Sequence, residues 1–314
     1  MTAGMPPERA VERLPGDAAP AGGAAAASGA APARGAGAST DPADPRAGAS
    51  ADPADPRAGI LERHFAEIQA LYAAAAGGVV RDDGDIRLSG SGLPARVVNA
   101  ANLARFTEAS AADRIDAVRD FFGRLGVPFR WFFGPTSTPA DLPARLEAAG
   151  LVQVSNSPGM ALDIATMRDE PAAVAGLEVR EVADRGDFEA WLRVCVESFP
   201  FDAGIADVWR AVHEPLGFGE ASPLHNHVAW LHGRPVAVSA LLYGREAAGI
   251  WNVGALADVR GRGIGRETTL AALRAARSAG ATVSVLGSSP MGLPVYTRIG
   301  FEEVCRIRHF GNPA

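Results

Sequence analysis

The amino-acid composition changes at Ile60, and this change limits most strongly what the chain can fold into. Before Ile60 the only large aliphatic residues are Val11 and Leu14, and alanine, glycine and proline predominate. Such a segment cannot bury enough apolar surface to offset the entropy lost on ordering. We therefore expect residues 1–59 to be a disordered tail. The remaining chain is long enough for one large or two ordinary domains.

A short repeat lies within the predicted tail. The octet DPADPRAG occurs at residues 41–48 and again at 52–59. Two copies are too few for a solenoid. We interpret them as solvated linker, with a partner-binding epitope as the alternative.

The charged and sulfur-containing residues exclude several classes of protein. All 30 basic residues are arginine, so a GxxxxGK[ST] phosphate loop, a pyridoxal Schiff base and a kinase-type lysine are excluded. A net charge of −6 disfavours sequence-independent nucleic-acid binding. Cys195 and Cys305 form no CxxC pair, which argues against a disulfide framework or a thiolate zinc site. We see no signal peptide and no membrane span, so the expected location is the cytoplasm.

Apolar periodicity and glycine stops predict the elements of the first half. They are helices over 60–72 and 111–125, a strand over 128–133, a helix over 139–149, and an extended segment over 151–164 with a break at 157–159. Residues 165–176 carry charge, proline and small side chains. We expect them to link two halves.

The second half has more predicted strands. Its elements are a strand over 177–182, a helix that contains Phe188 and Cys195, a helix over 203–213, strands over 226–231, 236–243 and 249–256, a helix ended by Gly280, a strand over 283–286, a helix over 289–299, and a strand over 301–310. The turn at residues 233–235 makes the first two of the three central strands an antiparallel hairpin.

A glycine-rich loop connects the strand over 249–256 to the following helix. It contains Gly261, Gly263 and Gly265, alternating with Arg260, Arg262 and Ile264. Alternating glycines allow a tight turn whose N–H groups converge, and the helix start adds positive potential. The loop is therefore a candidate pyrophosphate site. It is not the dinucleotide fingerprint, because its spacing is GxGxG rather than GxGxxG.

A second motif, Tyr296-Thr297-Arg298-Ile299-Gly300-Phe301, follows at a characteristic distance. The order of strand, RGxGxG loop, helix, strand, short helix with tyrosine, and Gly-Phe resembles the GNAT superfamily of N-acetyltransferases. The resemblance covers residues 177–310. It implies an α+β fold with a mixed sheet, with acetyl-CoA as co-substrate and no metal.

The resemblance also implies roles for individual residues. The loop amides would hold the coenzyme pyrophosphate, the preceding strand would pair with the pantetheine arm, and Tyr296 would be the general acid toward the departing thiolate. The implied coenzyme-binding residues are Val253, Gly254, Ala255, Leu256, Ala257, Val259, Arg260, Gly261, Arg262, Gly263, Ile264, Gly265, Arg266 and Ser289.

Ser289 departs from the common family pattern, in which an asparagine stands seven residues before the tyrosine. Ser289 followed by Pro290 is a good helix cap, and a polar contact to the coenzyme is the alternative. Pro294 would remove an internal hydrogen bond from a helix over 289–299 and predicts a kink.

No single residue stands out as the general base. Five residues lie on segments expected to approach the acceptor: Glu197, Asp202, His225, His227 and Asn252. His225 and His227 lie two apart on a strand and would face the same way. With no third ligand at a recognisable spacing, a strand-end role is preferred over a metal site.

The first half repeats part of the second. Its helix, strand, helix and strand parallel those from 264 to 310, and residues 146–151 correspond to 296–301. It has no glycine loop before its helix at 111. We therefore predict two tandem GNAT-like lobes, a degenerate one at 60–164 and a catalytic one at 177–312. An unrelated α/β domain or a helical extension is the alternative for the first.

The predicted activity is transfer of an acetyl group from acetyl-CoA to an amine by direct attack on the thioester. A small-molecule amine is preferred over a protein amine, because the first lobe could close over the acceptor side. The predicted partners include neither nucleic acid nor membrane, and the sequence carries no signal for a particular oligomeric state. The rival function is a non-catalytic acyl-CoA-binding sensor or scaffold.

Overall fold

A computed structural model of the chain describes residues 55–170 and 174–312. The first octet and the predicted tail up to residue 54 lie outside the described residues. The predicted end of the tail at residue 59 was wrong, because Asp55 caps a helix that begins at Pro56. In the first half the described elements are α1 (Pro56–Ala75), β1 (Val79–Asp82), β2 (Arg87–Gly90), β3 (Asn99–Asn102), α2 (Ala111–Leu125), β4 (Arg130–Phe133), α3 (Leu142–Ala148) and β5 (Val152–Asp163).

The second half supplies the remaining elements. They are β6 (Leu177–Glu181), α4 (Arg185–Ser198), α5 (Ile205–Leu216), β7 (Leu224–Leu231), β8 (Arg234–Tyr243), β9 (Ala248–Ala255), α6 (Ile264–Ser278), β10 (Val283–Gly287), α7 (Leu293–Ile299) and β11 (Glu302–Gly311). None of these described helices has the length and apolar composition needed to cross a bilayer.

One mixed sheet contains every described strand, in the order β1-β2-β3-β4-β11-β5-β10-β9-β8-β7-β6. The last strand of each half is inserted into the other half. Thus β11 pairs with β4 as well as β5, and β5 pairs with β10 as well as β11. The fold is α+β, and the two predicted lobes share a continuous sheet.

The two halves repeat the same unit on either side of the β5–β11 pair. On one side α2 connects the parallel strands β3 and β4, and on the other α6 connects the parallel strands β9 and β10. The helix ends also match. Leu151 N donates to Leu146 O and Phe301 N donates to Tyr296 O, both at 3.0 Å, and Gly150 and Gly300 have φ of 85° and 117°. The tandem arrangement is therefore confirmed.

Helix α1 covers the centre of the sheet. Its cap is Asp55, whose side chain accepts a hydrogen bond from Arg57 N at 2.8 Å, and Pro56 occupies the first helical position. This pair is a standard helix start, so the predicted start at Ile60 was wrong by four residues. Leu61 and Phe65 pack against β4, β5, β10 and β11.

Two predicted irregularities are absent from the described chain. The break at 157–159 was wrong, since β5 continues through these residues. Pro158 lies opposite Ser288, one residue beyond the end of β10, and its carbonyl oxygen accepts a hydrogen bond from Ser288 N at 2.9 Å. Proline has no N–H to donate, but at this position no residue of β10 needs that donor. The helix predicted over 289–299 begins only at Leu293, which puts Pro294 in its first turn, where proline removes no internal hydrogen bond.

The other helices and strands match the predicted elements within a few residues. Gly126, Gly280 and Gly300 follow helices in the left-handed conformation, as expected for glycine stops. The three strands between α1 and α2 were not predicted. Each has only four residues.

Candidate active site

Strands β9 and β10 diverge and open a cleft in the sheet. They pair only at Ala248 with Ser284 and Gly249 with Val285. Beyond Gly249, within the described chain, β9 pairs with β8 alone. The free edge of β9 can therefore hydrogen-bond to an extended ligand that carries amide groups.

A bulge redirects β9 within this cleft. Val238 is opposite Gly254 while Ala240 is opposite Trp251, so β9 carries one extra residue. A bulge bends the strand and re-aims its side chains. Asn252, inside the bulge, has a φ of 50°, a region that asparagine tolerates better than most residues.

The segment between β9 and α6 ends in a helix start with free amides. Gly261 and Gly263 have φ of 75° and 83°, values that favour glycine. The first hydrogen bond of α6 runs from Glu267 N to Gly263 O at 3.1 Å. The N–H groups of residues 264–266 therefore lack acceptors within the helix, and they lie at the positive end of the helix dipole, an arrangement suited to binding an anion.

Acidic side chains near the loop are neutralised by arginines. Asp258 pairs with Arg234 at 2.6 Å, and Glu267 pairs with Arg266 at 3.0 Å. Arg262 is exposed. The loop therefore presents a net positive potential to an anionic ligand.

Arg260 connects the loop to the neighbouring elements by hydrogen bonds. Its Nε donates to Ala255 O at 3.0 Å, and its Nη2 donates to Ser198 O at 3.3 Å. Both acceptors are backbone carbonyls, at the ends of β9 and α4. Arg260 thereby positions the loop through its side chain.

A cavity of about 400 Å³, here called the loop cavity, lies between this loop, the end of α4 and α7. Twelve of the predicted coenzyme-site and catalytic residues line it: Val253, Gly254, Ala255, Val259, Arg260, Gly261, Gly263, Ile264, Gly265, Arg266, Ser289 and Tyr296. Three others do not. Leu256 is buried in the core, and Ala257 and Arg262 are exposed on the outer side of the loop.

Tyr296 lies on α7 with its ring against Phe301, at 6.0 Å between centroids. It lines the loop cavity, and its hydroxyl forms no hydrogen bond with any residue that the structure describes. Burial raises the pKa of Tyr296. The hydroxyl is therefore protonated at neutral pH and has a proton to donate.

The turn before α7 fixes the position of the tyrosine ring. Ser289 Oγ accepts a hydrogen bond from Gly292 N at 3.1 Å within this turn. The expectation that Ser289 caps the helix was wrong, because α7 begins at Leu293 and its N-cap is Gly292. An added Cβ at Gly292 would lie 2.7 Å from Tyr296 Cε2. Gly292 is thus required for the close approach of the ring.

A second cavity of about 470 Å³, here called the junction cavity, adjoins the first. The two share Phe199, Val253, Ser289 and Tyr296. The junction cavity continues over the central strands, between residues of both halves. Its floor includes Ser155, Ser157, Ile307 and His309, and its wall includes Trp251 and Arg130.

Of the five candidate bases, only Asn252 lines either cavity. Glu197 and Asp202 are exposed. His225 Nδ1 lies 2.7 Å from Glu181 Oε1. His227 is buried, and burial lowers its pKa to about 4.

Neither histidine belongs to a recognisable metal site. Within residues 55–170 and 174–312, no group of three or more His, Cys, Asp or Glu side chains is arranged to hold a metal ion. His225 instead contacts Glu181 and the ring of Tyr243.

Several cavity residues were missed from the sequence. They include Ser198, Phe199, Pro200, Met291 and Val295 in the loop cavity, and Arg130 and His309 in the junction cavity. Only Arg130 carries a local signal, since it is a charged residue inside the otherwise apolar strand segment Phe129-Arg130-Trp131-Phe132. The others come together only through the fold.

Comparison with known proteins agrees with this geometry. The model of the acetyltransferase (GNAT) family matches residues 187–301. No curated protein matches the sequence.

Solved structures share the fold at low sequence identity. A GCN5-related N-acetyltransferase from Kribbella flavida has a TM-score of 0.64 and 20% identity, over 80% of this chain and 96% of that one. A conserved protein of unknown function from Staphylococcus epidermidis has a TM-score of 0.60 and 13% identity, over 74% and 92%. A GCN5-related N-acetyltransferase from Sphaerobacter thermophilus has a TM-score of 0.51 and 17% identity, over 73% and 76%.

The glycine loop, the divergent strands and the tyrosine helix all lie in or beside the segment that the family model matches. The chain therefore contains a domain of the acetyltransferase (GNAT) family over residues 187–301.

Proposed function

We propose that this protein transfers an acetyl group from acetyl-CoA to the amino group of a small molecule. The coenzyme would occupy the loop cavity and the acceptor the junction cavity. The observation that carries the proposal is Tyr296, a residue that lines both cavities and whose hydroxyl has no partner in the described chain. A proton donor at the boundary between two substrates is what thioester aminolysis needs.

Gly265 supports coenzyme binding at the loop. It is the second residue of α6, and an added Cβ would meet nothing within 4 Å. Neither backbone strain nor packing inside the protein explains a glycine there, although glycine disfavours a helix. Close approach of a ligand phosphate to the amides of residues 264–266 does explain it.

The acceptor side would supply the nucleophile. The neutral amine attacks the thioester carbonyl carbon, and a C–N bond forms while negative charge develops on oxygen. N–H groups on the free edge of β9 are available to stabilise that oxygen. The C–S bond then breaks, Tyr296 gives its proton to the departing sulfur, and the acylated nitrogen loses a proton to the tyrosinate, directly or through water.

The junction cavity offers no strong base for the amine. No Asp or Glu side chain lines it in the described chain. Burial and the charge of Arg130 lower the pKa of His309 to about 3, so this imidazole is a very weak proton acceptor. We infer that the amine enters as its free base.

The test is thiol release from acetyl-CoA in the presence of a panel of amines, with the acetylated product identified by its mass. Tyr296→Phe should lower turnover on the order of 10²–10⁴-fold and leave acetyl-CoA affinity nearly unchanged. Tyr243→Phe is the matched control, because Tyr243 lies at the end of β8 and lines neither cavity.

Two outcomes would oppose the proposal. Unchanged turnover in Tyr296→Phe, under conditions where chemistry limits the rate, would remove the tyrosine from the reaction. Tight acetyl-CoA binding without transfer to any amine would favour the sensor or scaffold.

A further inference from the structure

Arg130 introduces an uncompensated positive charge into the junction cavity. It lies on β4, half-buried, and its Nε is buried without a hydrogen-bond partner. It forms no ion pair with any described residue. Most buried arginines are paired with a carboxylate or fully hydrogen-bonded, because an isolated buried charge is costly.

The surroundings of Arg130 do not compensate its charge. The charged side chain that acts on it is a second guanidinium, that of Arg96, whose Nη2 donates to Asn312 O at 2.8 Å. Burial and this neighbouring charge lower the pKa of the Arg130 guanidinium. No carboxylate from the described chain lines the cavity.

The face of the sheet shows that Arg130 points into the cavity rather than into the core behind it. Arg130 and Phe132 alternate with Trp131 along β4. Phe132 contacts Phe65 of α1 and His309, with centroids 5.0 and 4.5 Å away. Arg130 thus lies on the side of the sheet that α1 covers, beside His309.

We propose that Arg130 binds an anionic oxygen group of the acceptor, so that the substrate is an amine carrying a carboxylate or a phosphate. A guanidinium fork binds either group through two parallel N–H···O bonds. The bound anion would supply the missing counter-charge and the missing acceptor for Nε. This inference deepens the proposed function and rests on it for the identity of the reacting amine.

The geometry also limits the spacing within the acceptor. Arg130 is opposite Gly311, which is opposite Val152, so it lies beyond the Val154 end of the cavity floor. The other end of the cavity floor is near Tyr296. There Ser288 N donates to Pro158 O at 2.9 Å, and both Ser288 and the Tyr296 ring lie beside Gly292.

Residues 154 to 158 span about 13 Å of strand at about 3.3 Å per residue. Part of this length is covered by the arginine side chain. The acceptor should therefore separate its amino group from its anionic group by several bonds. The α-amino group of an amino acid is therefore too close to its own α-carboxylate to be the acetylated nitrogen.

The experiment compares ω-amino carboxylates of increasing length and aminoalkyl phosphates with uncharged amines of the same length. Both kcat/KM from thiol release and direct binding by calorimetry are measured. Anionic amines of the favoured length should exceed their neutral analogues in kcat/KM on the order of 10²-fold. Arg130→Gln should remove this advantage, so that anionic and neutral amines of the same length have similar kcat/KM.

Arg308→Gln is the matched control. Arg308 lies on β11 next to His309 but on the opposite face, with its guanidinium 4.8 Å from the Phe133 ring centroid. It should retain the preference for anionic amines. Arg130→Gln should also unfold at the same temperature as the parent or higher, whereas removal of a merely structural arginine would lower that temperature.

The outcomes separate this inference from the proposed function. Equal kcat/KM for anionic and neutral amines, or a preference that survives in Arg130→Gln, overturns the inference while acetyl transfer stands. Arg130-dependent binding of anionic amines without thiol release supports the anion site and contradicts the transferase. Failure of anionic amines to bind the parent protein overturns the inference.

Discussion

Substitution of Gly265 by alanine should stabilise the fold and weaken coenzyme binding at the same time. Gly265 has an ordinary helical backbone at the second position of α6, and an added Cβ would meet nothing within 4 Å. Alanine in a helix is favoured over glycine by roughly 0.5–1 kcal/mol. A first-turn position should gain at the lower end of that range.

The expected loss of affinity follows from where the new methyl group would lie. It would project from the first turn of α6 into the loop cavity, beside the amides of residues 264–266. If a pyrophosphate approaches these amides, the methyl group must push it away. We expect at least a tenfold rise in Kd for acetyl-CoA, about 1.4 kcal/mol.

Gly123→Ala provides the control. Gly123 lies in α2 and is exposed, and an added Cβ there would likewise meet nothing within 4 Å. Both variants should raise the unfolding temperature, by up to about 2–4 °C per kcal/mol for a domain of this size. Only Gly265→Ala should weaken binding in calorimetry. An unchanged Kd in Gly265→Ala would refute the argument that a phosphate contacts this turn.

Two further predictions concern pH. No carboxylate lines the junction cavity in the described chain, so kcat/KM should rise with pH following the pKa of the acceptor amine. The inflection of this pH profile should move when an acceptor of different pKa is used. An inflection between pH 6 and 8 that is the same for every acceptor would indicate a base on the enzyme and contradict the prediction. Burial lowers the pKa of His213 and His227 to about 4, and burial together with the Arg130 charge lowers that of His309 to about 3, against about 6.5 in the unfolded chain. The unfolded state therefore binds more protons between pH 6.5 and 4, and stability should fall as pH falls, by about 1.4 kcal/mol per histidine and pH unit. Urea unfolding at pH 7 and 5.5 tests this, and equal free energies of unfolding would contradict it.

Much of the second half could be predicted from local sequence signals. The alternating glycines at 261–265 and the Tyr296 to Phe301 motif depend on residues close together in the chain, and they correspond to a helix start and a helix end in the structure. Glycine stops work for the same reason, because left-handed φ is a local property. The Asp55-Pro56 helix start was also a readable local signal.

The missed features depend on distant contacts. Strands β1, β2 and β3 have four residues each and no apolar alternation, so their pairing in the sheet decides their conformation. The insertion of β5 and β11 into opposite halves joins segments about 150 residues apart. The junction cavity follows from that insertion. For this reason Arg130 and His309 cannot be assigned to one site from sequence spacing.

The central claim is that one coenzyme site exists per chain and that it is the glycine loop of the second half. The first half has the corresponding helix, α2. Before this helix Thr107 N donates to Ser110 Oγ at 3.2 Å, and Ser110 N donates to Thr107 Oγ1 at 3.1 Å. These N–H groups already have acceptors, so they are not free to bind a phosphate.

Calorimetric titration with acetyl-CoA tests this claim most directly. The account predicts one molecule bound per chain, with binding abolished in Gly265→Asp, where a carboxylate would occupy the phosphate position, and retained in Gly123→Asp. Two molecules per chain, or one that binds Gly265→Asp with parental affinity, would contradict it.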